Sequence, residues 1–93
     1  MIKSFRDKDT EKVFLRQRPK NISPDILERA HNKLLVINSV EDVKHLAFPP
    51  GNRLEKLGAE RRGQYSIRIN ERWRICFKWE DGNAHDVEIC DYH

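Results

Sequence analysis

The chain lacks the devices that staple small proteins together. Its 93 residues include two cysteines, Cys76 and Cys90, with no metal-ligand spacing around them. Both fall in strand-like runs and are expected to be reduced thiols, and no metal site is expected. No apolar run is long enough to cross a bilayer, and Met1-Ile2-Lys3-Ser4-Phe5 passes straight into charged residues without a signal-peptide pattern. A cytoplasmic protein with no membrane association is the expectation. Internal repeats, low-complexity stretches and linkers are also missing, so residues 1–93 are expected to form one domain with a sufficient but not generous core. Positive charge is absent from one region: Glu80 to His93 holds five Asp/Glu and no Lys/Arg, whereas Arg53 to Lys78 holds eight Lys/Arg and three Glu. The net charge of +3 is by itself a weak pointer to nucleic acid. Its segregation says more, and assigns an anion site to the middle of the sheet rather than to its last strand.

What the chain does have is alternation. From Gln64 to His93 apolar and polar residues alternate as in three paired strands, and successive strand residues point to opposite faces. Tyr65, Ile67 and Ile69, then Trp73, Ile75, Phe77 and Trp79, then Val87 and Ile89 form the apolar set. Ser66, Arg68 and Asn70, then Arg72, Arg74, Cys76 and Lys78, then Asp86, Glu88, Cys90 and Tyr92 form the polar set, expected to make one continuous outward face. Asp91 falls on the core side by the same parity.

Register tests this reading. A two-residue Asp81-Gly82 turn would put Val87 on the face of Cys76 and split the core, so an odd connection is expected: a three-residue loop with Gly82 in the left-handed conformation. Lys78 and Arg74 would then lie beside Asp86 and Glu88. The same parity at Asn70-Glu71 sets Arg68 directly opposite Arg74. Like charges facing each other across a ladder cost a few tenths to about 1 kcal/mol. Either a bound phosphate uses the pair, or each arginine leans away to a carboxylate or water.

The first half reads as a short strand from Ile2 to Phe5, then a helix opened by Asp7 and Asp9, carrying Val13 and Phe14, and ended by Arg16, Arg18 and Pro19. A second helix has Ser23 as N-cap and Pro24 at its first position, with Ile26, Leu27, Ala30, Leu34, Leu35 and Ile37 at helical spacing against the apolar sheet face. Ser39 and Asp42 look like a capping box for a short third turn, Val40 to Leu46. Phe48-Pro49-Pro50-Gly51-Asn52 must be a loop, and Arg53 to Leu57 resumes as a strand. The fold class is α+β, with two to three helices on one face of a mainly antiparallel sheet completed by a C-terminal β-meander.

Four stretches carry a resemblance. Pro49-Pro50-Gly51-Asn52-Arg53-Leu54-Glu55, Gly63-Gln64-Tyr65-Ser66-Ile67-Arg68-Ile69-Asn70, Trp73-Arg74-Ile75-Cys76-Phe77 and Asp91-Tyr92-His93 together resemble the HigB-type killer proteins of the RelE/ParE toxin superfamily. Order, spacing and total length agree along the whole chain. The resemblance implies the RelE-like fold and a ribosome-dependent messenger-RNA endonuclease that cuts in the decoding site, using no metal or other cofactor. It implies inhibition of translation and growth, and silencing by a HigA-type helix-turn-helix antitoxin, through which operator DNA is met only indirectly. Some members carry a histidine where this chain reads Glu55, so either Glu55 has taken an acid/base role or the work has moved to the C-terminal residues.

Cleavage by 2′-hydroxyl attack needs a base, cations for the crowded phosphorane and an acid for the leaving 5′-oxygen. His93, titrating nearest neutral pH, is the expected proton donor. Tyr92 orients the 2′-hydroxyl or acts as base if Arg68 and Arg74 lower its pKa. Arg74, supported by Arg68 and Lys56, is expected to hold the scissile phosphate, while Asp91 orients His93. Arg53, Arg62, Arg72 and Lys78 complete the basic set expected to touch RNA. His31, His45 and His85 are scattered and read as surface or packing residues; Trp73 and Trp79 read as core. Two other functions remain: a ParE-type toxin that binds and poisons DNA gyrase, and a nontoxic RNA-binding adaptor with salt-sensitive affinity and no product.

Overall fold

The alternating runs do form the sheet. β1 (Glu55–Lys56), β2 (Gln64–Arg68), β3 (Trp73–Glu80) and β4 (Asn83–Asp91) lie side by side in that order, every pair antiparallel. The structure, a computed structural model, describes residues 1–91. Tyr92 and His93 therefore lie outside the described residues.

Between β2 and β3 the register is the expected one, with Ile67 opposite Ile75 and Arg68 opposite Arg74. Between β3 and β4 the route differs from expectation. Glu80 pairs with Asn83, so the turn has two residues, Asp81 at φ 52° and Gly82 at φ 76°. Two left-handed residues give a turn whose twist matches that of the strands it joins, and Asp-Gly favours it. Parity is restored by a bulge further along: Lys78 pairs with His85 but Cys76 with Glu88, so Asp86 and Val87 together face Phe77. One extra residue, with Asp86 at φ 51°, keeps Val87 and Ile89 on the core side. The bulge takes the place of the expected three-residue loop. Lys78 does pair with Asp86 at 3.4 Å, but Arg74 lies opposite Cys90, and Glu88 is held instead by Arg6 at 3.0 Å and Arg61 at 3.2 Å.

Residues 1–6 run parallel to β4, with bridges from Ile2 to Ala84 and from Phe5 to Val87. Ser4 fixes the bulge: its hydroxyl accepts the Asp86 N–H at 2.9 Å and its carbonyl accepts the Val87 N–H at 3.1 Å.

The helices cover the apolar face. α1 (Lys8–Phe14) is capped by Asp7, whose carboxylate accepts the Thr10 N–H at 2.7 Å. α2 (Leu27–Ser39) is preceded by a separate 3-10 turn, Pro24–Ile26, and Ser23 makes no side-chain cap bond, so the α-helix begins later than Pro24. Ile26, Ala30, Leu34 and Ile37 pack into a core with Val13, Leu46, Ile67, Ile75, Phe77 and Val87. Leu35 lies off that stripe and is exposed. The expected capping box is absent: the Ser39 hydroxyl donates back to the Val36 carbonyl at 2.9 Å, and Asp42 alone caps a 3-10 turn, Val43–Ala47. The strand expected over residues 53–57 shrinks to two residues because Arg53, at φ 45°, turns the chain out of the extended region.

The face opposite the helices is not the open surface that alternation suggests. Ser66, Arg74 and Cys76 are buried there. The segment 53–62 crosses them, with the Arg53 carbonyl accepting from Arg74 at 2.8 Å and Arg61 reaching Glu88.

Candidate functional site

Arg74 is the centre of that covered face. Its Nε–H donates to Ser66 Oγ at 2.9 Å, its Nη2 to the Arg53 carbonyl at 2.8 Å, and Glu55 Oε1 stands 3.9 Å from Nη2. β2 supplies Ser66 across the ladder, and the left-handed Arg53 aims its carbonyl inward because the chain reverses there. The guanidinium is thus oriented before any ligand arrives. Glu55 pairs with Ser66 in the register, so it shares this face and remains more than half exposed, a carboxylate at the rim beside a buried cation. Accepting or donating a proton there is chemically open to it.

Arg68 is paired with Arg74 on the backbone. Ile69 N–H donates to the Trp73 carbonyl at 2.9 Å, which makes Arg68 and Arg74 the next, non-hydrogen-bonded pair. Such pairs have Cα atoms about 4.5 Å apart. Arg74 nonetheless turns to Ser66 and Arg53, whereas Arg68 lines a cavity beside α2 with Arg29 and Lys33.

The remaining expected residues divide. Asp91 takes both Nε and Nη2 of Arg72, at 2.8 and 2.7 Å, and the Arg72 guanidinium also lies 5.6 Å from the Trp73 ring centroid. That bidentate bond raises the pKa of Arg72. Arg72 is therefore an orienter of the strand end that carries Asp91. Lys56 pairs with Tyr65, which places it on the face away from Arg74, so it does not support Arg74 as expected. Lys78 lies four residues along β3 from Arg74, roughly 13 Å at strand rise, and is engaged with Asp86. Arg53 contributes its carbonyl while its side chain is exposed, and Arg62 is exposed ahead of β2. The expected roles of Tyr92 and His93 fall outside the described residues; in the chain both follow directly on Asp91.

Several contributors were not singled out from sequence. Ser66 and Glu88 were ordinary members of the polar set, yet one positions Arg74 and the other gathers Arg6, Arg61 and the Cys90 thiol, which donates to it at 2.9 Å. Both cysteines are free, Cys76 fully buried and Cys90 partly so. The hydrogen bond with Cys76, burial and the Glu88 carboxylate push the Cys90 pKa up. Among the histidines, His31 is a packing residue whose Nδ1–H donates to the Val13 carbonyl at 3.0 Å. Trp73 and Trp79 pack against the core as expected. Among the described residues, no group of three or more His, Cys, Asp or Glu is placed to hold a metal ion, and no helix is long and apolar enough to cross a membrane.

Solved structures share this architecture. The YoeB–YefM complex from Staphylococcus aureus contains a chain that superposes with a TM-score of 0.55 at 19% identity, over 100% of this chain and 98% of that one. The YoeB dimer from Staphylococcus aureus gives 0.53 at 19% identity, over 99% and 97%. At that identity the likeness defines the fold alone, that of the YoeB toxins. Sequence narrows it further. The family model described as RelE-like toxin of type II toxin-antitoxin system HigB matches residues 3–93, and the chain belongs to that family. Toxin HigB-1 of Vibrio cholerae is 34% identical over 85 residues, 90% of each chain. Endoribonuclease HigB of Proteus vulgaris is 29% identical over 97 residues, 100% of each.

Proposed function

We propose that this type II toxin is an endoribonuclease that cleaves messenger RNA on the ribosome. The observation that carries the reading is the buried, pre-oriented Arg74 guanidinium with a half-open carboxylate, Glu55, at its rim. A fixed cation at a water-poor site stabilises developing phosphorane charge without reorganising during the reaction. In the reaction, the 2′-oxygen attacks the adjacent phosphorus, its proton passing to a base, and the phosphorus–5′-oxygen bond breaks. The 5′-oxygen takes a proton from an acid, leaving a 2′,3′-cyclic phosphate and a 5′-hydroxyl. Arg74 holds the phosphate, Glu55 or Tyr92 serves as base, and His93 as acid, with Asp91 and Arg72 steadying the strand that leads to them.

The name of the Proteus vulgaris relative supports nuclease chemistry, and membership of the HigB family rather than a gyrase-binding one favours it over the ParE-type alternative. A chain of this size has little room to enclose a folded substrate, so the ribosome presents the message and free RNA is cut poorly. A HigA-type antitoxin is the expected inhibitor, in line with the antitoxin-bound YoeB chains that share the fold. Ribosomes and message together put the toxin's work in the cytoplasm.

The test is 5′-end mapping of ribosome-bound message after induction, with wild type beside Arg74→Met, Tyr92→Phe and His93→Gln. In-frame periodic cuts that disappear in all three variants are expected. Full toxicity of all three, or efficient cutting of naked message without ribosomes, would overturn the assignment.

A further inference from the structure

Arg68 also belongs to a second cluster of cationic residues that the reading above does not use. A cavity of about 360 Å³ lies between α2 and the end of β2, lined by Arg29 and Lys33 from the helix, Gly51 from the preceding loop, and Arg68, Asn70 and Glu71 from the hairpin. Three cationic residues and one acidic residue are among its lining. Arg29 and Lys33 are one helical turn apart and share a face, an arrangement of like charges that opposes folding. Both are nevertheless fixed. Arg29 Nη1 donates to the Ile69 carbonyl at 3.2 Å, and the Lys33 ammonium donates to Asn52 Oδ1. Asn52 is itself buried and donates to the carbonyls of Leu46 and Phe48 at 3.1 and 3.0 Å, which anchors the loop that carries Gly51. Burial and the neighbouring Arg29 lower the pKa of Lys33, a penalty that a bound anion would relieve.

We propose that this cavity is a second phosphate site, which takes a backbone phosphate of the RNA strand next to the one held at Arg74. The inference rests on RNA being the substrate. Its volume lies near the low end of small-ligand sites, about 300–1,000 Å³, room for a phosphate with its sugar. A backbone phosphate is favoured over an acidic peptide because Arg68 and Arg74 leave neighbouring points on the sheet, so a strand engaged at one is led toward the other. Such a contact carries no base information and sets the register of the strand in the site.

Gly51 provides a test that disturbs no hydrogen bond of the cluster. A Cβ built on it meets nothing within 4 Å. Binding of a short 2′-O-methylated RNA, which cannot be cleaved by 2′-hydroxyl attack, is measured by fluorescence anisotropy over a range of salt, with thermal melts for every variant. Gly51→Glu is expected to weaken binding about tenfold and Gly51→Lys to tighten it, with Gly51→Ala unchanged. Arg29→Gln should weaken binding and reduce the slope of log affinity against log salt by about 0.7, the value for one phosphate contact on a single strand. If the wild type binds RNA and the Gly51 variants stay within twofold of it, this site is refuted while the nuclease reading stands. If the wild type shows no salt-dependent RNA affinity, this site is refuted, and the nuclease reading is judged by the 5′-end mapping alone. Charge changes at Gly51 that alter antitoxin affinity but not RNA affinity would assign the cavity to an acidic protein partner and overturn the proposal.

Discussion

Ser66→Ala tests whether Arg74 is held as the geometry says. Ser66 has no exposed surface, and its Oγ accepts the Nε–H of Arg74 at 2.9 Å. Removing it strands a charged donor where little water reaches, Arg74 being 8% exposed. Hydrogen bonds to charged groups contribute about 1.5–3 kcal/mol, and because Nη2 keeps the Arg53 carbonyl, the lower part of that range, about 1.5–2 kcal/mol, is expected. For a chain of this length each kcal/mol moves Tm by about 4–8 °C, so a fall of roughly 6–16 °C follows. Arg74→Met removes the donor to Ser66 Oγ and the Arg53 carbonyl, so stability should fall by about 1–3 kcal/mol and cleavage should be lost outright. Urea unfolding of wild type, both single variants and the double variant gives the coupling directly, provided that the denaturant slope is unchanged. A Ser66→Ala loss below about 0.5 kcal/mol, or effects that simply add in the double variant, would refute the claim that Ser66 positions the guanidinium. Activity supplies a second readout. A guanidinium displaced by an ångström should lower turnover by up to about 100-fold in Ser66→Ala while the protein remains folded.

Two further predictions concern the sheet. Gly82→Ala places a side chain at φ 76° with the Glu41 carbonyl 3.4 Å from its Cβ, and should cost about 1–2 kcal/mol, read as a lower urea midpoint. An unchanged midpoint would contradict the two-residue turn. The raised pKa of Cys90 leaves less thiolate at a given pH than a free cysteine has, and Cys76 is shielded outright. Iodoacetamide at mildly alkaline pH should therefore add two groups in denaturant and act slowly on the folded protein, as followed by mass spectrometry. Native alkylation of Cys90 at the free-thiol rate would argue against its contact with Glu88.

How much of this was legible depended on the range of the interaction. Strand faces and the Arg68–Arg74 pairing follow from a period of two, which local sequence records directly. The β3–β4 connection shows the limit of parity. A two-residue turn with a bulge and a three-residue loop put the same side chains in the core, and the choice rests on Asp86 adopting φ 51° against Ser4, a contact between residues 82 apart in sequence. The start of α2 differs from expectation because Ser-Pro suits a 3-10 turn as well as an α-helix. The burial of Ser66, Arg74 and Cys76 could not be seen, since the covering segment owes its path to the left-handed Arg53, an exposed residue with no positional signature. Arg29 and Lys33 do carry a local sign, two cations at a spacing of four on α2. What makes them a site is the loop and hairpin brought beside them.

The strap formed by residues 1–6 also bears on how the toxin behaves in a crowded solution. β4 is the longest strand, and it ends the sheet. Bare edges of that length invite docking by a neighbouring copy and, from there, aggregation. Ser4, the Met1 carbonyl and the other backbone contacts to Ala84 and Val87 occupy that edge. Trimming the first few residues would therefore do more than loosen a monomer: it would uncover a sticky seam, and precipitate is the first sign to watch for.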